Sequence, residues 1–254
     1  MSGNKGKGKP KKIEPFPLGV GAMLMSGVEG LKRAPLPLLL GSLLPIAISA
    51  PMLFWGQGRL TEVDTSGGFS TEAAGGLFLL FLGFVIAGTM SYPVCAYALQ
   101  VARNEPVDIR APFQRPDRFV TMLVSSFWFW AGILLSFNFV FIPFLPAFMA
   151  VFVFVFYVFF GFVVADRPDL GGMKVLGVSS RIGDKRRVAL FGLTALYAAV
   201  FAFVAVLGFS IGGGEATVVA AVGLYAALLL FVSFALVGWA TLYDVLRKDL
   251  PDAW

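Results

Sequence analysis

Apolar residues run along this chain in long blocks, without the three-to-four spacing of a soluble amphipathic helix. Six blocks lie at about 36–56, 76–99, 119–138, 142–165, 188–211 and 216–243. Each is long enough to cross a hydrocarbon core of ~30 Å at about 1.5 Å per residue. The breaks carry turn and charge signals: SGG at 66–68, PVDIRAPFQRPDR at 106–118, Asn138 to Pro143 with Pro146, ADRPDLGG at 165–172, and IGGGE at 211–215. Pro143 and Pro146 divide the third block from the fourth, because each removes a backbone donor and clashes one turn back. The run VFVFVFYVFFGF from Val151 alternates like a strand. An isolated strand cannot satisfy its backbone in lipid, so it too reads as helix. The pattern predicts an all-α polytopic membrane protein with six transmembrane helices in three hairpins.

Two shorter amphipathic stretches flank the blocks. Residues 17–33 bring Leu18, Met25, Val28 and Leu31 together ahead of Lys32 and Arg33, which predicts an interfacial helix. Gly19, Gly21, Gly27 and Gly30 count against it, each costing up to ~1 kcal/mol relative to Ala. Residues 170–182 place Leu170, Met173, Leu176 and Ile182 on one side. Residues 1–16 form a lysine-rich arm with too little apolar surface to fold, expected to be disordered and retained. A single membrane domain fills 17–250, and 251–254 is a tail.

Composition agrees with the blocks. Of 254 residues, 58% are apolar and only 14% are charged, against roughly 25% charged in a soluble domain. The charges also choose a side. With the N-terminus in the cytoplasm, 19 of 20 Lys and Arg residues fall inside and only Arg59 outside; 11 of 15 acids are inside too. Positive residues orient membrane proteins and acids hardly do, so both termini are expected in the cytoplasm. Trp55 at the outer end, and Trp239 with Tyr243 at the inner end, fit interface anchors.

Candidate chemistry is sparse. Histidine is absent, and the one cysteine, Cys95, can form neither an internal disulfide nor a multi-cysteine metal site. The block interiors hold no Asp, Glu, Lys or Arg, whereas proton relays and ion pathways need such groups in the membrane. Thr89, Ser91, Ser125, Ser126, Ser136, Asn138, Thr194, Ser210, Ser233 and Thr241 either line a substrate path or bond a helix backbone or a neighbouring helix, and the second reading is the simpler, with Asn138 at the outer turn suiting a cap. Gly83, Ala87 and Ser91 form a small-residue stripe that suits close helix packing, within the monomer or across a homodimer. Pro45, Pro51 and Pro93 lie inside crossings, where kinks open cavities in some transporters. Ser179 and Ser180 have no adjacent base. No phosphate-cradling glycine loop, GxSxG motif or dense carboxylate motif is present, so no catalytic, cofactor or metal site is expected.

The stretch ADRPDLGGMKVLGVSSRIGDKRRVALFGL resembles the signature of an uncharacterised bacterial multi-pass inner-membrane family. That family is similar to the membrane domain of some glycerophosphodiester phosphodiesterases. Asp166, Leu176, Ser179 and Phe191 take its signature places, and Lys185 stands where the family often has Gly. The segment from Arg103 to Phe119 and the ending ATLYDVLRKDL agree with it as well. The resemblance implies paired crossings in the bacterial plasma membrane and no catalytic residue, since the phosphodiesterase activity of fused relatives belongs to a separate soluble domain.

The expected function is therefore non-enzymatic: an accessory or scaffolding membrane protein with a basic cytoplasmic face. That face comprises Lys5, Lys7, Lys9, Lys11, Lys12, Arg181, Lys185, Arg186 and Arg187. Its expected partners are membrane lipids with anionic headgroups, a membrane protein or a second copy, with no nucleic acid. The alternative is a passive transporter or handler of a lipid or small solute, using the first two crossings as its path.

Overall fold

A computed structural model describes residues 19–61, 71–136, 145–211 and 218–248, and their regular structure is entirely helical. The lysine arm, Asn138 and the tail lie outside the described residues. Ten α-helices follow in order: α1 Val20–Arg33, α2 Pro35–Thr61, α3 Thr71–Met90, α4 Tyr92–Ala102, α5 Pro116–Ser136, α6 Leu145–Tyr157, α7 Phe160–Asp166, α8 Gly172–Ile182, α9 Arg187–Ile211 and α10 Val218–Arg247. A short 3-10 turn, Ala111–Gln114, precedes α5. Among the described residues, five stretches are long and apolar enough to span a membrane: Pro35–Leu60, Thr71–Ala102, Pro116–Ser136, Phe148–Asp166 and Ala226–Arg247. Arg187–Val200, the first part of α9, is a shorter apolar stretch.

Two of the five spans are broken. The second divides at Ser91, where Pro93 cannot donate to the helix behind it and sits instead in the first turn of α4. The fourth divides at Val158–Phe159 without a proline. There Phe159, almost fully buried, sets its ring against Trp239 and Tyr243 of α10. By contrast, α2 continues through both Pro45 and Pro51.

Packing is densest between α2 and α3 and next between α1 and α10, and residues of α4, α7 and α10 make up much of the buried core. Small residues set the close approaches. A Cβ added at Gly161 of α7 would lie 2.7 Å from Cys95 Sγ of α4, and one at Gly83 of α3 would lie 2.8 Å from Leu53 of α2. The hydroxyls mostly bond helix backbone: Thr89 to Val85 O, Ser136 to Gly132 O, Thr241 to Val237 O, and Ser125 to Thr121 O and Gly172 O. The buried Ser233 of α10 instead donates to Ser42 Oγ of α2 at 2.9 Å.

The two amphipathic stretches pack differently from their sequence expectation. Helix α1 turns Met23, Gly27 and Gly30 inward, leaving Met25 and Val28 exposed. A Cβ on Gly27 would meet Phe234 at 2.6 Å, and one on Gly30 would meet Val237 at 2.7 Å. The glycines that weaken α1 as an isolated helix are thus what seats it on α10. Helix α8 buries Val175, Leu176, Val178, Ser179 and Ile182 and leaves Met173 exposed. It lies against α5 and α7 as part of the bundle.

Candidate functional site

The ends of α4, α7 and α10 meet at one end of the bundle, and each brings charge. Asp166, the last residue of α7, is only 6% exposed at its side chain. Arg103 Nη2 lies 2.8 Å from Asp166 Oδ1, Tyr243 donates its hydroxyl to Asp166 Oδ2 at 3.0 Å, and Arg247 pairs with the same oxygen. Arg103 Nε also donates to Asp244 Oδ1 at 2.9 Å, and Asp244 takes Lys248 at 3.3 Å. Burial works against the charge on Arg103, but Asp166 and Asp244 outweigh it and hold its pKa above the usual range.

Local sequence fixes the arginine's position. Asn104 adopts φ 59°, a left-handed conformation that Asn tolerates better than most residues. Its N–H donates to Val101 O at 3.0 Å, and Glu105 N–H donates to Gln100 O at 2.8 Å. This paired closure ends α4 with Arg103 at the C-cap. Asn104 Oδ1 accepts from Arg33 at the end of α1. Buried Arg118, near the start of α5, donates to the carbonyls of Arg167 and Pro168 just beyond α7. Arg167 in turn forks onto Asp169 with bonds of 3.0 and 2.9 Å. The hydrogen bond from Arg167 lowers the exposed Asp169 carboxyl from the usual 3.8 to about 2.

Beside this knot lies a two-part cleft between the start of α2 and the end of α4. One cavity, of about 350 Å³, is lined by Arg33, Pro37, Val101, Asn104 and Glu105 among others. It adjoins a second, largely apolar cavity of about 330 Å³ that includes Pro37, Leu40, Gly41, Ala47, Pro93 and Phe113 in its walls. Pro45 and Pro51 cannot donate to the carbonyls one turn back, which are those of Gly41 and Ala47, both in this wall. Tyr97 anchors the outer wall by donating its hydroxyl to Ile109 O at 2.7 Å.

No family model matches the chain, and no curated protein or solved structure matches it either. The site must be read from its own chemistry. Among the described residues no group of three His, Cys, Asp or Glu side chains converges to hold a metal ion. Asp166 is already engaged by three side chains, accepting from Tyr243 and Arg247 and lying in an ion pair with Arg103.

The sequence-predicted residues divide. Arg181, Arg186 and Arg187 come together around the turn from α8 into α9, while the Lys185 side chain and the five arm lysines lie outside the described residues. Arg187 is partly spent, pairing with Asp184 at 2.7 Å and lying 3.7 Å over the Phe156 ring. Gly83 is taken up by α2, while Ala87 is partly exposed and Ser91 donates to Gly88 O. Ser179 is fully buried and its Oγ meets no hydrogen-bond partner, and Ser180 donates to Gly177 O. Trp239 and Tyr243 are buried core residues, not interface anchors, because Phe159 and Asp166 draw them inward. Cys95 is buried against Gly161, consistent with a structural thiol. In the sequence Arg103, Asp166 and Asp244 stand far apart, and nothing in their spacing shows that they form one group. All three lie at or just beyond the end of an apolar block, which is the signal that relates them.

Proposed function

We propose that this chain is a non-enzymatic accessory or scaffolding protein of the bacterial inner membrane, contacting anionic headgroups or a protein partner through its basic cytoplasmic face. The observation that carries this reading is how the charges are used. At the buried end, acids and bases are spent on one another to join α4, α7 and α10. The exposed Arg181 lies at the end of α8, beside the turn into α9, where an anionic leaflet attracts juxtamembrane cations.

The proposal includes six crossings with both termini inside. Two observations support the sixth, α9. It is 25 residues long, or about 37 Å. Tyr197, ten residues into it, packs on Trp239 of α10, eight residues before Arg247. Its first residue is thereby placed near the charged end where α10 finishes. The relation to the uncharacterised inner-membrane family, with crossings paired as hairpins, belongs to the same proposal. A second reading, a passive handler of lipid or small solute, is favoured by the apolar cavity between α2 and α4.

Extraction into native nanodiscs followed by mass spectrometry tests the two. A co-extracted protein that is lost at high salt, and lost with the triple charge reversal Arg181→Glu, Lys185→Glu and Arg186→Glu, is the expected result. A stoichiometric lipid or solute without any protein, unchanged by that reversal, would favour the second reading.

A further inference from the structure

We infer that the two-part cleft between α2 and α4 is a binding site for one zwitterionic aminophospholipid, its phosphate against Arg33 and its ammonium against Glu105. The inference rests on the membrane reading above but not on the basic face.

Arg33 and Glu105 line the same cavity of about 350 Å³ and are both exposed, yet they do not pair with each other. Arg33 instead reaches Asn104 Oδ1, and Glu105 has no ion pair among the described residues. A cavity mouth holding one free carboxylate and one guanidinium complements a headgroup that carries one cation and one anion. A purely anionic headgroup would face Glu105 unfavourably. A primary ammonium donates hydrogen bonds to a carboxylate, whereas a quaternary choline cannot.

The cleft continues in the direction a lipid needs. Pro37 belongs to both cavities, and from there the apolar one follows α2 to Ala47. Ten residues of helix rise about 15 Å, roughly half the ~30 Å hydrocarbon core and therefore one leaflet. The headgroup end lies at the level of the charge knot, since Arg103 and Asn104 are consecutive. The chain end is walled by Leu40, Gly41, Ala47, Pro93 and Phe113, with Phe113 54% exposed on the outer side.

The test is native mass spectrometry of the full-length protein in an equimolar mixture of dioleoyl phosphatidylethanolamine, phosphatidylcholine and phosphatidylglycerol. The wild type should retain one phosphatidylethanolamine, preferred on the order of tenfold over either competitor, as expected for one charge-assisted hydrogen bond lost or gained. Glu105→Gln should abolish the preference over phosphatidylcholine while leaving a bound lipid. Arg33→Ala should weaken all three lipids. Ala47→Trp, on an exposed helix position, should fill the apolar part and remove the adduct while the circular dichroism stays helical. Equal retention of the three lipids by the wild type, an unchanged preference in Glu105→Gln, or an unchanged adduct in Ala47→Trp would each overturn the inference. The charge reversal at 181, 185 and 186 separates the two proposals. It should abolish partner capture and leave the phosphatidylethanolamine adduct intact, so partner capture that survives the reversal with the adduct retained tells against the accessory reading alone. Partner capture without a selective adduct tells against the cleft alone.

Discussion

On a single carboxylate, Asp166 gathers two guanidiniums and a phenol, so its removal would take the carboxylate from half-buried Arg247 and leave Arg103 with Asp244 alone. Breaking one side of a buried pair costs roughly 3–5 kcal/mol. Asp166→Asn should therefore lower the thermal midpoint in detergent far more than Asp169→Asn, whose exposed fork with Arg167 is solvent-screened. A similar drop in both variants would contradict the central role of Asp166. For Asp169 itself, the lowered pKa means that its contribution is complete above pH 3.8 and is lost as pH falls towards about 2. A carboxyl titration followed by NMR should find its midpoint near 2. Asn104 offers a separate test: Asn104→Val should cost about 1–2 kcal/mol through the left-handed backbone, and Asn104→Gly much less. Each of these residues is visible in the sequence as a charge or turn former. Their partnership is not, because Arg103 and Asp244 are 141 positions apart and only the folded bundle brings those two block ends together.

Among the elements, glycine shows how far sequence reasoning reaches. In an isolated helix Gly27 and Gly30 cost stability; against α10 they permit an approach that a single methyl would block. Overpacking such a contact costs about 1–3 kcal/mol. Gly27→Leu should undock α1, read as faster amide exchange across Val20–Arg33 with the remaining spans unchanged. Gly161→Val should instead loosen the centre, where Cys95 of α4 meets α7, and expose Cys95 to a membrane-permeant maleimide. Among the described residues, five of the six apolar blocks coincide with stretches long and apolar enough to span a membrane, because burial in lipid needs only hydrophobicity and length. The break at Val158–Phe159 leaves no such mark, having neither Pro nor Gly at the turn; it follows from the fit of Phe159 between Trp239 and Tyr243. The prolines mislead in the opposite sense. Pro45 and Pro51 leave α2 continuous, and what they alter is the wall of the cleft.

For the whole molecule, the distribution of cations predicts sidedness, and labelling can check it. In a Cys95→Ala background, a cysteine at position 69 should react with an impermeant maleimide in intact cells. One at position 171 should react only after permeabilisation. The reverse pattern at either position would sink the six-crossing proposal. The charge knot also imposes an order on biogenesis. Arg103 leaves the ribosome well before Asp166, and Tyr243, Asp244 and Arg247 follow 77 to 81 residues after that. Until the last span is inserted, an early cation and its carboxylate await the partners that complete them. The knot is thus a completion signal: a chain truncated at residue 240 should insert its earlier spans yet be cleared by membrane proteases, with a pulse-chase half-life well below that of the full chain.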